Sequence, residues 1–143
     1  MEIKKLRPKA ILLSILLFVG NLLAMAETIE VNFDGVNYRL SDEDMTAMVI
    51  NEIGSVGEDI WEKTWVEGDV VLPESINYAR KTYVLTSIGD YAFRDCSNIT
   101  SIKIPFSVTS IGDGAFEDCR NLTSIEIPFG VTSIGNNAFS GCI

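Results

Sequence analysis

The chain has 143 residues, with 20 acidic against 11 basic side chains, no histidine and a formal net charge of −9. A polyanion of this kind repels nucleic acid and anionic lipid headgroups, so neither is expected as a partner. The lack of histidine removes the commonest general base and every histidine-containing nucleophilic triad.

The N-terminal stretch reads as a secretory signal peptide over residues 1–26. Lys4, Lys5, Arg7 and Lys9 form a basic start, Ile11 to Val19 is almost uninterrupted apolar, and Ala24-Met25-Ala26 has the small-x-small form of a cleavage site. Cleavage between Ala26 and Glu27 leaves Glu27 as the mature N-terminus. The apolar core falls short of the roughly 20 residues that a membrane span needs, and Gly20 and Asn21 interrupt it, so no stable span is expected after cleavage. Residues 27–143 keep 7 basic and 19 acidic side chains, a net charge of −12.

Residues 27–67 carry strand and turn signals without a repeat. Ile29, Val31 and Phe33 alternate with polar residues, Asp34-Gly35 follows, and Val36, Tyr38 and Leu40 alternate again. Two alternating runs around Asp-Gly predict a β-hairpin with a tight primed turn. Ser41 to Asp44 predicts a second turn, and Thr46 to Ile50 a third strand. The acidic stretch from Gly54 to Glu67 contains Trp61 and Trp65. Their spacing suits one face of a short helix, but Trp, Thr and Val also suit a strand, and the sequence leaves both open.

A unit of 23 residues then recurs in register: VLTSIGDYAFRDCSNITSIKIPF (84–106), VTSIGDGAFEDCRNLTSIEIPFG (108–130) and VTSIGNNAFSGCI (131–143). Ile88, Ile111 and Ile134 are equally spaced, as are Phe93, Phe116 and Phe139, and Cys96, Cys119 and Cys142. A fixed period in this range means stacked supersecondary units. Ile102 and Ile104 alternate with Ser101 and Lys103, and Ile125 and Ile127 with Ser124 and Glu126, as in a short strand with one face buried. Pro105 and Pro128 end that strand. Val108 and Ile111 point inward on the return path. Asp113 is expected to cap a single helical turn whose Ala115 and Phe116 face the core, and Asn121 to satisfy backbone groups at the next strand. The cysteines share one phase of the repeat and are expected to be buried thiols rather than a disulfide framework.

The motif N-[IL]-T-S-I-x-I-P-F-x-V-T-S-I-G-[DN]-x-A-F-x-x-C resembles the BspA-like class of leucine-rich repeats of bacterial surface proteins. The resemblance covers 84–143 and extends to Gly68–Ser75, where Val70, Leu72 and Pro73 align with Ile102, Ile104 and Pro105. An eight-residue insertion, Ile76 to Tyr83, follows that strand. The resemblance implies an α+β solenoid: a leucine-rich-repeat stack with a short strand plus a short helix or 3-10 turn per coil. It comprises a degenerate first coil at 68–83, repeats at 84–106 and 107–130, and a partial one at 131–143, behind a β-rich N-terminal cap at 27–67. Members of the family commonly run through many coils. A chain that halts at Ile143 is therefore expected to be a truncated product, a fragment, or a protein that self-associates through its open C-terminal coil.

Little in the sequence points to catalysis. Asp42, Glu43 and Asp44 cluster, but as a solvated turn. Thr46 and Ala47 stand where a calcium loop requires a further ligand and a glycine. No enzyme activity, cofactor or metal is expected. Asn98-Ile99-Thr100 and Asn121-Leu122-Thr123 match the glycosylation sequon, though the repeat itself imposes both. Two features are candidates for binding. Lys103 and Glu126 occupy solvent-facing strand positions one coil apart, beside Ser101, Ser124, Asp69 and Val71. Phe106 and Phe129 each follow a strand-ending proline, where they either form an exposed apolar patch or fold into the core. The family implies an exported binding or adhesion module that contacts a protein ligand at the bacterial surface. The alternative is a degenerate fragment with no function of its own.

Overall fold

A computed structural model describes residues 28–53, 62–63 and 66–143. The expected signal peptide, its Ala26/Glu27 cleavage point, and Trp61 and Trp65 lie outside the described residues.

The N-terminal strands follow the alternation. β1 (Thr28–Phe33) pairs antiparallel with β2 (Val36–Ser41), with Phe33 opposite Val36. Asp34 and Gly35 both have positive φ, 51° and 81°, as a two-residue type I′ turn requires. β3 (Thr46–Ile50) pairs antiparallel with β2, and Asp44 accepts hydrogen bonds from the Thr46 amide and hydroxyl at the turn between them. The short strands β4 (Glu52–Ile53) and β5 (Glu62–Lys63) pair with each other.

The repeats build two parallel ladders. β6 (Gly68–Val71), β9 (Ile99–Lys103) and β11 (Ser124–Glu126) form a three-stranded sheet in which Val70, Ile102 and Ile125 are in register. The return segments β8 (Lys81–Ile88), β10 (Ser110–Ile111) and β12 (Ser133–Ile134) pair in parallel, aligning Ile88, Ile111 and Ile134. β3 joins this second ladder directly, pairing in parallel with β8 so that Val49 faces Ile88. One sheet therefore runs β1-β2-β3-β8-β10-β12, from the N-terminal strands into the repeats. The segment expected as an insertion forms a hairpin: β7 (Ser75–Tyr78) turns through Ala79 and Arg80 into β8.

The expected helix is absent. No helix occurs among the described residues, and residues 89–96 and their equivalents are chains of turns. Alternate amides explain this. Tyr91, Phe93 and Asp95 donate to the carbonyls of Asp113, Ala115 and Glu117 in the next coil, while Ala92, Arg94 and Cys96 donate three residues back to Gly89, Tyr91 and Phe93. A helix would need every amide to bond within its own segment. Left-handed φ at Tyr91, Asp95, Gly114 and Asp118 turns those N–H groups along the stack instead. Asp113 accordingly caps no helix. Its carboxylate accepts the Asn136 amide one coil later, at 2.6 Å.

The core is columnar. Phe93, Phe116 and Phe139 stack with centroids 5.3 Å apart and planes within 6°. Phe93 and Phe116 are fully buried, beside Ile88, Val108 and Ile111. Cys96 and Cys119 are buried in the adjacent column and no disulfide joins the three cysteines. The thiols of Cys119 and Cys142 donate to the Phe93 and Phe116 carbonyls at 3.0 and 3.2 Å. Burial, and then the neighbouring cysteines, push the Cys119 thiol up to about 12, the opposite of an activated nucleophile.

Candidate functional site

In the ladder β6-β9-β11 side chains alternate between core and solvent, so Val70 and Ile102 point inward while their neighbours point out. The outward rows are Asp69–Ser101–Ser124 and Val71–Lys103–Glu126, each in register across the strands. The structure thus assembles every strand position expected to face solvent onto one surface.

Not all of them are available to a ligand. The Ser101 hydroxyl donates to Asp69 Oδ1 at 2.6 Å, and Thr100 donates to the same oxygen at 3.0 Å. These two bonds, Ser101 first, hold the Asp69 carboxyl below its usual range. Ser101 therefore ties adjacent coils together, while Ser124 remains exposed at the equivalent position one coil on. Lys103 and Glu126 stand side by side on neighbouring strands, and among the described residues no ion pair joins them.

The two phenylalanines face solvent. Phe106 is 68 % exposed and Phe129 fully so, at 101 %. The reason is local: Pro105 and Pro128 are buried at the strand ends, and the chain turns outward behind each of them. Between Phe106 and the charged row lies a groove of about 340 Å³, and Phe129 follows Pro128 of its floor. Its floor is Leu72, Ile104, Pro105 and Pro128, and its rim carries Val71, Phe106, Glu74, Lys103 and Glu126. Val71 is 70 % exposed and extends the apolar surface to β6.

Glu74 escaped the sequence reading. It follows Pro73 as Phe106 follows Pro105 and Phe129 follows Pro128, so its phase was present in the alignment of the coils. The insertion that begins two residues later concealed it. Asn121 behaves as expected, its Nδ2 donating to the Ser97 carbonyl at 2.7 Å, which gives the second sequon a structural use.

A two-ladder stack with a period of 23 residues, a phenylalanine column and an N-I-T-S or N-L-T-S strand entry is what the comparison with known families then matches, over residues 86–143, to the BspA type leucine rich repeat region. These residues belong to the BspA-type leucine-rich repeats. The chain as a whole is similar to a leucine rich cell surface protein from Faecalibacterium prausnitzii, with 24 % identity and a TM-score of 0.61 over 80 % of this chain and 30 % of that one. A leucine-rich repeat protein from Bacteroides ovatus shares 27 % identity at a TM-score of 0.54, over 78 % of this chain and 33 % of its own. The leucine rich repeat protein of T. pallidum shares 24 % identity at 0.59, over 78 % and 45 %. The chain spans a third or less of the length of the first two. No curated protein matches the sequence. Among the described residues no helix is long and apolar enough to cross a membrane.

Proposed function

We propose that this is an exported binding protein of the bacterial surface, a solenoid of leucine-rich repeats that adheres to a protein ligand through the outward face of β6, β9 and β11. In this reading residues 1–26 direct export, 27–67 cap the stack, and 68–143 present the surface. Lys103, Glu126 and Ser124 supply polar contacts, Phe106 and Phe129 apolar ones, and Ser101 supports the face through Asp69.

The observation that carries this reading is the exposure of Phe106 and Phe129, the first lining a groove and the second directly after Pro128 of its floor. Exposed aromatics one coil apart cost solubility without stabilising the fold, and such patches mark interaction sites. The similarity to the leucine rich cell surface protein of Faecalibacterium prausnitzii supports the location.

Cells expressing the chain test both halves. The mature protein should begin at Glu27 and be accessible to external protease. Its capture of a panel of immobilised soluble proteins should fall when Phe106→Ser and Phe129→Ser are combined. Retention of residues 1–26, or capture unchanged by the double variant, defeats the corresponding half.

A further inference from the structure

Resting on that reading of the strand face, we propose that the groove takes a cationic and apolar protein segment, an extended stretch in which Arg or Lys alternates with aliphatic or aromatic residues. The floor of Leu72, Ile104, Pro105 and Pro128 offers no hydrogen-bonding side chain, so the part of a ligand that enters is apolar. The rim is charged and unbalanced. Glu74 belongs to the first coil, Glu126 to the third, and Lys103 alone stands between them. Asp69 adds a further carboxylate to the same outward face. Three carboxylates against one ammonium, on a chain of net charge −9, favour a partner of positive charge and repel an acidic one.

The exposed rings strengthen the choice. A guanidinium over an aromatic face is attracted by the ring quadrupole, and the molecule already makes one such contact, with Arg94 lying 5.4 Å from the centre of the Tyr91 ring. Phe106 and Phe129 offer the same surface to a partner's arginine. A sugar ligand fits less well, since its hydroxyls need donors and acceptors at the rim, and Ser101 is already bonded to Asp69.

The test uses the full secreted chain and three fluorescein-labelled octapeptides, read by fluorescence polarisation. The first is Gly-Arg-Leu-Arg-Phe-Arg-Leu-Gly. The second has Glu for each Arg, and the third has Ser for each Leu and Phe. The first should bind at least about tenfold more tightly than either of the others, and should weaken as salt rises from about 50 to about 500 mM. Combined Glu74→Lys and Glu126→Lys, or combined Phe106→Ser and Phe129→Ser, should each weaken it about tenfold. These positions are exposed, and an unchanged thermal midpoint verifies that the variants fold. Binding of the Glu peptide as tightly as the Arg peptide overturns the inference, as does indifference to charge reversal. Displacement of the Arg peptide by cellohexaose, or no binding by it while immobilised proteins are still captured in a Phe106- and Phe129-dependent way, also overturns it. Those last outcomes leave the binding face itself intact, whereas capture that ignores Phe106 and Phe129 removes the face and the inference together.

Discussion

Oδ1 of Asp90 accepts the main-chain N–H of Asp113 at 2.8 Å, one repeat further along, and Asp113 does the same for Asn136 at 2.6 Å. The carboxylate reaches across because Gly112 and Gly135 stand in its path without a side chain. A Cβ on either would approach the preceding aspartate's Oδ1 to 2.4 Å. The aspartate and the following coil's glycine thus act as one device for stacking coils. Asp90→Ala, which leaves the Asp113 amide without this acceptor, should lower stability by about 1–2 kcal/mol, and Asp90→Asn by less, since its amide oxygen still accepts. Equilibrium denaturation of the three proteins checks the order.

Equivalent positions in successive coils should differ in worth as their burial differs. Ile111 is 1 % exposed and Ile134 is 49 %. Ile111→Ala should cost about 2–5 kcal/mol, and Ile134→Ala less than half of that. Phe116→Ala, at the centre of the ring column, should cost about 3–5 kcal/mol, whereas Phe129→Ala should change stability by no more than about 0.5 kcal/mol. Equal losses at Ile111 and Ile134 would contradict the described packing.

The hairpin between β7 and β8 turns through Ala79 and Arg80 at φ 47° and 65°. Neither residue is suited to the left-handed region, where an L side chain costs about 1–2 kcal/mol. Arg80→Gly should therefore raise the unfolding free energy by up to about 1 kcal/mol, and Ala79→Asn with Arg80→Gly by somewhat more. Thermal melts of the variants, with circular dichroism to verify the strands, report the outcome.

Tyr83 is fully buried and its hydroxyl donates to Asp42, which also receives Lys81 at 2.6 Å. Burial first, and the bond to Asp42 second, push the phenol from its ordinary value of 10.0 up to about 12. The folded protein holds that proton more tightly than the unfolded chain does. This contribution to stability is thus complete below pH 10 and is lost as pH rises through about 12. Burial raises the Tyr38 phenol as well, so the two act together. Denaturation midpoints should fall between about pH 10 and 12, and less steeply in Tyr83→Phe.

The repeat was legible because each of its positions has one physical job repeated at a constant spacing. Proline at the strand end and phenylalanine in the column found their places, and so did the isoleucines of the inner coils, whereas Ile127 and Ile134 at the C-terminal end are 39 % and 49 % exposed because no further coil covers them among the described residues. The Asp-Gly hairpin and the strand at Thr46–Ile50 were equally plain, since alternation and a turn requiring positive φ are local signals. The segment after Asp113 has helical local signals but forms turns. Ala115 and Phe116 behind Asp113 look like a capped helix to any local rule, and the carbonyls that draw off alternate amides lie 22 residues away in the chain.

The sequence by itself determined the 23-residue period, the buried columns and which strand positions face outward, because a side chain's direction in a strand follows from its parity alone. Tertiary structure decided what depends on non-local partners. It joined β3 to β8, so that the N-terminal strands and the return ladder share one sheet. It also turned Phe106 and Phe129 into solvent and brought Glu74 to the groove that Phe106 borders. Parity carries no information about which segment occupies a free strand edge or about the path behind a proline. Those are settled by where a complementary backbone edge and the unburied apolar surface happen to meet.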